Sequence, residues 1–284
     1  MNIRIAAETD KGYVREQNED AFCFCPDLSH PDWERSEASI ELGPNGCLLA
    51  LADGIGGVNA GEVASAIAMD TVRQQFSNIT AVAQAVGTET GIIQFLQSTI
   101  EEADKAIKQY AVDHPDSIGL GTTIVLSWIC NGIAYVAWCG DSRCYLFNPN
   151  IGLLPLTKDH SYVQELVDKK ELTESEAFCH PDSNIITRGL GDLDAQALPD
   201  ITTHALTQGD TIMLCSDGLC GYSTNQVIER IVSDNYLDAG SCCHQLLRHA
   251  LNVGGYDNIC IVVASIAPKR NIFKRWFSHH LIKK

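Results

Sequence analysis

Five short stretches share one pattern: an acid at the end of an apolar run, beside a glycine or an asparagine. They are NED (Asn18, Glu19, Asp20), ADG (Asp53), GDSR (Asp141), SDG (Asp217) and YDN (Asp257). Taken singly, an Asp-Gly after a strand is a turn. Taken together, strand ends from one sheet region can bring carboxylates within a few ångströms. There they repel unless protonated or bound to a cation. Hard divalent ions such as Mg²⁺ and Mn²⁺ take oxygen ligands and need neither His nor Cys, and the neighbouring glycines let backbone carbonyls approach as well. Two such ions about 3.5–4 Å apart clamp a bridging water, acidify it and aim it at phosphorus. Arg15, four residues before Glu19, has the planar fork that grips phosphate; its plain alternative is a surface ion pair with Glu16 or Glu19.

The elements that must position these acids are legible in the apolar pattern. Strands are expected at 3–7, 21–24, 47–52, 122–130, 133–139, 144–147, 201–205, 211–215 and 259–266, and helices at 60–76, 91–110, 162–169, 224–232 and 239–251. The 91–110 helix carries apolar residues at Ile92, Ile93, Leu96, Ile100, Ala103 and Ile107, a core-facing stripe. Thr224 is placed as an N-cap. Asn131-Gly132 divides the longest apolar region into two seven-residue runs, the signature of a hairpin rather than a membrane span. Both runs are apolar on both faces, so they belong inside stacked sheets. Two helices come together between strands, and three strands then run through hairpin-like connections. This is not parallel βαβ alternation; it predicts an α+β fold with antiparallel sheets and helices packed outside. Residues 25–46 and 170–200 read as loops.

Bulk composition narrows the function. The chain has 284 residues, 45% hydrophobic, with a net charge of −16, enough to bury a large core. Residues 268–284 hold six Lys/Arg and no acid, leaving fourteen basic against 36 acidic side chains in the rest. A body this acidic disfavours nucleic acid and anionic membrane. The twelve cysteines are scattered, mostly in apolar runs, and none forms a zinc-type CxxC pair. Reduced thiols and a cytoplasmic location are the expectation, and the N-terminus lacks a signal-peptide core.

The ordered motifs TDKGYVREQNEDAF, LADGIGG with AGEVAS, GLGTTIV, GDSRCYLF, LTKDHSYV, ITRGLG, LCSDGL and YDNICIVV resemble those of the PP2C-type (PPM) metal-dependent serine/threonine protein phosphatases in their compact bacterial form. The match spans about residues 5–266. The resemblance implies an antiparallel β-sandwich flanked on both sides by helices, four layers in the order αββα, as a phosphatase domain over 1–267 followed by a separate tail. It implies hydrolysis of phosphoserine and phosphothreonine in proteins by a metal-bridged hydroxide, with two Mn²⁺ or Mg²⁺ ions and a third in bacterial members. Asp53 would bridge the two ions, Asp217 and Asp257 would complete one shell, Glu19 and the Gly54 carbonyl the other, and Asp20 would order metal-bound waters or contribute directly. Asp116, shortly before the GTT motif, would hold the third. Arg15 would bind the substrate phosphate, and a Ser/Thr kinase would be the opposing partner. Many eukaryotic relatives carry His directly after the DG of the second motif; Ile55 stands there in this chain.

Other residues take plainer readings. Asp141 with Arg143 is expected to support a sheet turn rather than touch metal. His160 and His180 are candidate substrate contacts, His160 as a proton donor to the leaving oxygen, each set against a role as an ordinary hydrogen-bonded loop histidine. Two alternatives stand beside hydrolysis: a phosphatase-like module that senses metal or a phosphoprotein without turnover, and a two-metal nuclease or phosphodiesterase. Residues 268–284 form a basic amphipathic stretch able to lie on an anionic membrane, dock a partner, or fray into solvent.

Overall fold

The computed structural model describes residues 1–33, 37–56, 61–117, 119–192 and 195–267; the basic tail lies outside them. In chain order the elements are β1 (Asn2–Asp10), β2 (Asp20–Cys25), β3 (Glu37–Glu41), β4 (Cys47–Ile55), α1 (Gly61–Phe76), α2 (Ile79–Ala85), α3 (Glu89–Asp113), β5 (Gly121–Thr122), β6 (Ile124–Cys130) and β7 (Ile133–Cys139). There follow β8 (Arg143–Asn148), β9 (Gly152–Pro155), α4 (Tyr162–Asp168), α5 (Glu174–Phe178), β10 (Asp200–Ala205), β11 (Thr211–Cys215), α6 (Asp217–Cys220), α7 (Asn225–Asn235), α8 (Ala239–Asn252) and β12 (Ile259–Ile266). One sheet runs β3-β1-β12-β11-β8-β9. The other runs β10-β7-β6-β4-β2, with β5 paired to β4. The pairings are antiparallel throughout.

Strand periodicity builds four layers. Along β4, Cys47, Leu49 and Leu51 face the opposite sheet, while Leu48, Ala50 and Ala52 face helices. β12 divides likewise: Cys260, Val262, Ala264 and Ile266 fill the space between the sheets, and Ile259, Ile261 and Val263 pack outward. α1 and α3 cover one outer face, where Phe76, Phe95 and Trp128 meet edge to face with centroids 5.0–5.6 Å apart. α7 and α8 cover the other through Ile228, Val232, Cys243 and Leu246. The predicted αββα sandwich is therefore the observed one, and its strands look apolar on both faces because both faces are covered. The Asn131-Gly132 turn has φ of 51° and 77°, as a two-residue hairpin requires.

The structure corrects some of the predicted connections. Residues 25–46 contain β3, and 170–200 contain α5, whose Thr173 and Glu176 form a complete capping box. β9 and α2 are further short elements that the apolar pattern did not reveal. Thr224 does precede α7 in extended conformation, but its side chain makes no cap hydrogen bond. Eleven of the twelve cysteines are buried and all are free. Among the described residues no helix is long and apolar enough to cross a membrane.

Candidate active site

The acids gather where the chain passes repeatedly between the two sheets at one end of the sandwich. Asp20, the first residue of β2, stands directly opposite Asp53 of β4. Asp217 opens α6 just beyond β11, Asp257 lies just before β12, and Asp141 lies between β7 and β8. Like charges facing each other across a ladder are destabilising, so something must hold this arrangement, and the backbone around each acid shows what does. The Asp53 N–H donates to Thr123 Oγ1 (3.0 Å), and its carbonyl accepts from Thr122 Oγ1 and the Thr123 N–H (2.8 Å each). Thr123 Oγ1 in turn pairs with Ser142 Oγ at 2.8 Å, next to Asp141. Ser216 Oγ donates to Asp20 Oδ2 (2.7 Å) and accepts from the Cys260 N–H (2.9 Å), strapping one sheet to the other.

Close backbone approach completes the frame. Gly54 lies against Gly61 and the Glu19 carbonyl so tightly that a Cβ would collide with both. The loop carrying Arg15 is stapled by Asn258, whose Nδ2 donates to the Lys11 (3.0 Å) and Gln17 (2.8 Å) carbonyls while its Oδ1 accepts from the Glu19 N–H (2.8 Å).

The electrostatics are those of a nest of acids. Burial, reinforced by Asp217 and Asp257, pushes the Asp20 carboxyl up to about 8 against its Ser216 hydrogen bond. Burial and then Asp257 push Asp217 up to about 6. Burial lifts Asp53 well above the usual carboxylate range, with Asp20, Asp217, Asp141 and Asp257 adding to it. Asp141 is raised in the same way, first by burial and then by Asp217. Glu19 is raised by burial, against the pull of Arg15. Asp53, Asp141, Asp217 and Asp257 still touch solvent while protein surrounds them, so the nest has an open mouth. Asp20 Oδ1 is enclosed and has no hydrogen-bond partner. A buried unsatisfied oxygen among raised carboxylates, with only oxygen donors around it, is the chemistry of a site for hard divalent cations. Among the described residues no three acid, His or Cys side chains stand as a ready ligating set; the acids meet in pairs around Asp53. At the mouth, Arg15 Nη2 contacts Asp257 Oδ2 at 2.7 Å, and among the described residues its half-exposed guanidinium makes no other side-chain hydrogen bond or ion pair.

The remaining candidates fall elsewhere. Asp116 is exposed on a single 3₁₀ turn after α3, and among the described residues no hydrogen bond or ion pair joins it to the nest. His160 is buried. The Gly140 N–H donates to its Nδ1 (3.1 Å), its Nε2 faces Asp200 (3.2 Å), and its ring stacks on Trp138. It clamps the turn before Asp141 rather than facing a substrate, and burial lowers its pKa. His180 accepts from the Asp182 N–H in a turn beyond α5. Asp141 lies in the turn between β7 and β8, raised by burial and then by Asp217, while Arg143 makes a two-pronged ion pair with Asp159 (2.8 and 2.6 Å). Asn258 was missed as a positioning residue, although an Asn heading a buried strand beside an acid was a visible signal.

The chain matches the family pattern described as protein phosphatase 2C over residues 7–259. It is 33% identical over 275 residues to the serine/threonine phosphatase stp of Listeria welshimeri, covering 94% of this chain and 96% of that protein. Among solved structures, the serine/threonine phosphatase Stp1 of Staphylococcus aureus superposes with a TM-score of 0.78 at 30% identity, over 93% of this chain and 95% of that one. The catalytic domain of the phosphatase PstP, in complex with two manganese ions, superposes with a TM-score of 0.74 at 28% identity, over 94% of this chain and all of that one. The chain thus belongs to the protein phosphatase 2C family and is a bacterial-type serine/threonine phosphatase.

Proposed function

We propose that this chain hydrolyses phosphoserine and phosphothreonine monoesters in proteins, using divalent cations, and thereby opposes a Ser/Thr kinase. The observation that carries the metal dependence is the enclosed, unpartnered Asp20 Oδ1 within a nest of carboxylates whose pKa values are raised by burial and by one another. Glu19, Asp20, Asp53, Asp217, Asp257 and the Gly54 carbonyl would hold the ions, with Asp141 rather than Asp116 as the further carboxylate. Bound Mn²⁺ or Mg²⁺ supplies charge to offset the acids and a water acidic enough to attack phosphorus. Arg15 orients the phosphate through its free N–H groups and neutralises charge on the equatorial oxygens. Ser216 is committed to Asp20 and Cys260, while a hydrogen bond with Cys215 and then burial push the Cys220 thiol up and burial pushes the Cys260 thiol up, so neither these thiols nor Ser216 is poised as a covalent nucleophile.

The test is phosphate release from a phosphothreonine peptide before and after exhaustive chelation. Turnover should vanish with the metal and return with Mn²⁺ or Mg²⁺; full turnover in stripped protein contradicts the proposal. Hydrolysis by the pure protein separates an enzyme from a sensing module. Preference for an oligonucleotide over a phosphopeptide would revive the nuclease reading, which the acidic body disfavours.

A further inference from the structure

Eight of the lysines and arginines in the described residues sit in ion pairs with acids, among them Arg15, Arg143 and Arg188. Arg230 of α7 and Arg248 of α8 are exceptions. Both are exposed, and among the described residues neither makes an ion pair or a hydrogen bond. They line the same cleft of about 380 Å³ between the two helices, together with His249 and Asn252. On a chain of net charge −16, the two guanidinium groups outnumber the one acid lining the cleft, Asp234, and give it a local net positive charge.

The cleft is tied to the active site. α7 begins just after Tyr222 and Ser223, and α8 ends just before the turn that leads to Asp257. His249 Nε2 lies 3.1 Å from Ser223 Oγ, and the Tyr222 ring lies 5.4 Å from that of Tyr256, the residue preceding Asp257. Tyr13, Tyr222 and Tyr256 are 71%, 42% and 52% exposed. The Tyr13 N–H donates to the Gly255 carbonyl, which ties the Arg15 loop to the turn that carries Tyr256. Charge is graded along the cleft. Arg248, His249 and Asn252 belong to the last turns of α8, at the active-site end, whereas Asp234 lies toward the far end of α7.

We propose that the α7–α8 cleft docks a second anionic group, a carboxylate or a second phosphate, carried by the same phosphoprotein whose phosphoester enters at Arg15. The inference rests on the phosphatase reading above and adds a substrate preference to it. Guanidinium forks suit either anion, and the exposed Tyr222–Tyr256 pair offers aromatic surface to the intervening peptide. The occupant is a substrate segment because the cleft is joined to the Asp257 turn through the His249–Ser223 contact and the Tyr222–Tyr256 ring pair, and its net charge opposes that of the surrounding protein.

The experiment compares kcat/KM for phosphothreonine peptides that differ only in a flanking glutamate, phosphoserine or alanine, walked outward from the reacting residue one position at a time. Wild-type protein should favour the acidic flank at the registers that reach the cleft, and added salt should erode the preference. In R230Q/R248Q the acidic-to-neutral ratio should fall about tenfold, equivalent to about 1.4 kcal/mol. R230E/R248E should invert it. The glutamate and phosphoserine arms distinguish the two anions. Both arginines are exposed, so the variants should keep the wild-type melting temperature; R230Q and R248Q singly carry the same test at smaller amplitude. A ratio unchanged in these variants, or no acidic preference in wild type, overturns the proposal while leaving the phosphatase reading intact. Failure of wild type to release phosphate from any peptide sinks both.

Discussion

Replacing Asp20 by Asn should make the metal-free protein more stable, most of all at alkaline pH. Asp20 is buried opposite Asp53, and its carboxyl is pushed from 3.8 up to about 8 by burial and by neighbouring acids. A folded-state pKa raised above the unfolded value gives stability that is fully present below about pH 4 and is lost as pH climbs through about 8. At about 1.4 kcal/mol per unit, the roughly four-unit shift sets an upper bound of about 6 kcal/mol on what ionised Asp20 subtracts. The acids titrate as a set, so one substitution relieves only part of this, about 2–3 kcal/mol. For a chain of this size that corresponds to roughly 5 °C in melting temperature. Asn suits the site: its carbonyl can still accept from Ser216 Oγ, and its amide can donate toward Asp53. The assay is thermal unfolding of wild type and D20N in chelator between about pH 5 and pH 9, repeated with excess Mn²⁺. In chelator, wild type should lose stability as pH rises and the variant should change less. With Mn²⁺ the order should reverse, because only wild type keeps the full donor set and gains binding energy from the ion. A variant that is less stable in chelator, or one that keeps the wild-type pH dependence, would refute the argument that buried carboxylate repulsion dominates this end of the fold.

Asn258→Ala removes the acceptor for the Glu19 N–H and the donor to the Lys11 and Gln17 carbonyls. It should cost about 2–4 kcal/mol and weaken metal affinity, read as a lower melting temperature and a higher Mn²⁺ requirement; unchanged values would remove its stapling role. Arg15→Gln should raise KM for a phosphopeptide about tenfold or more by removing a charge-assisted contact. An unchanged KM would assign Arg15 to the Asp257 ion pair alone.

The legible parts of the sequence are those where many residues repeat one instruction. β4, β6, β7 and β12 each present long apolar runs bounded by turn residues, and α3 repeats its stripe over several turns, so both the layers and the antiparallel order could be read. β3 could not, because a five-residue edge strand with only Ala38 and Ile40 turned toward the core and glutamates at its ends carries almost no periodic signal. Those glutamates also blunt an exposed edge. The same brevity hides β9, α2 and α5. At the site, strand-end acids beside glycine were readable because position along a strand fixes which end of the sheet a residue reaches. Asp141 obeys that pattern too, while its neighbour Arg143 pairs with Asp159. Asp116 and His160 were harder to place from the sequence for a different reason. Each hangs on a connection whose path depends on packing, and a side chain's direction there is not encoded by spacing.

The two sheets contribute separately to the nest, and this ties function to the core. Asp20 and Asp53 belong to the β2–β4 side, while Asp217 and Asp257 lie at the ends of β11 and β12 in the other sheet. The bond from Ser216 to Asp20 crosses between them. The spacing of the acids is therefore set by the apolar layer between the sheets, where Leu49, Leu51, Leu214 and Val262 interlock. Close packing leaves such a layer little freedom to slide, which is how a cluster of mutually repelling carboxylates stays in place. The repulsion is not dispersed because the acids are held locally: Asp53 by backbone bonds to Thr122 and Thr123, Asp257 by its Oδ1 accepting from the Asn258 N–H, Asp141 by the turn that His160 clamps. A fold optimised for stability alone would have no such nest. Its presence at the end of a well-packed sandwich is a local violation that the rest of the structure sustains, as expected where a site must be ready for charge it does not itself supply.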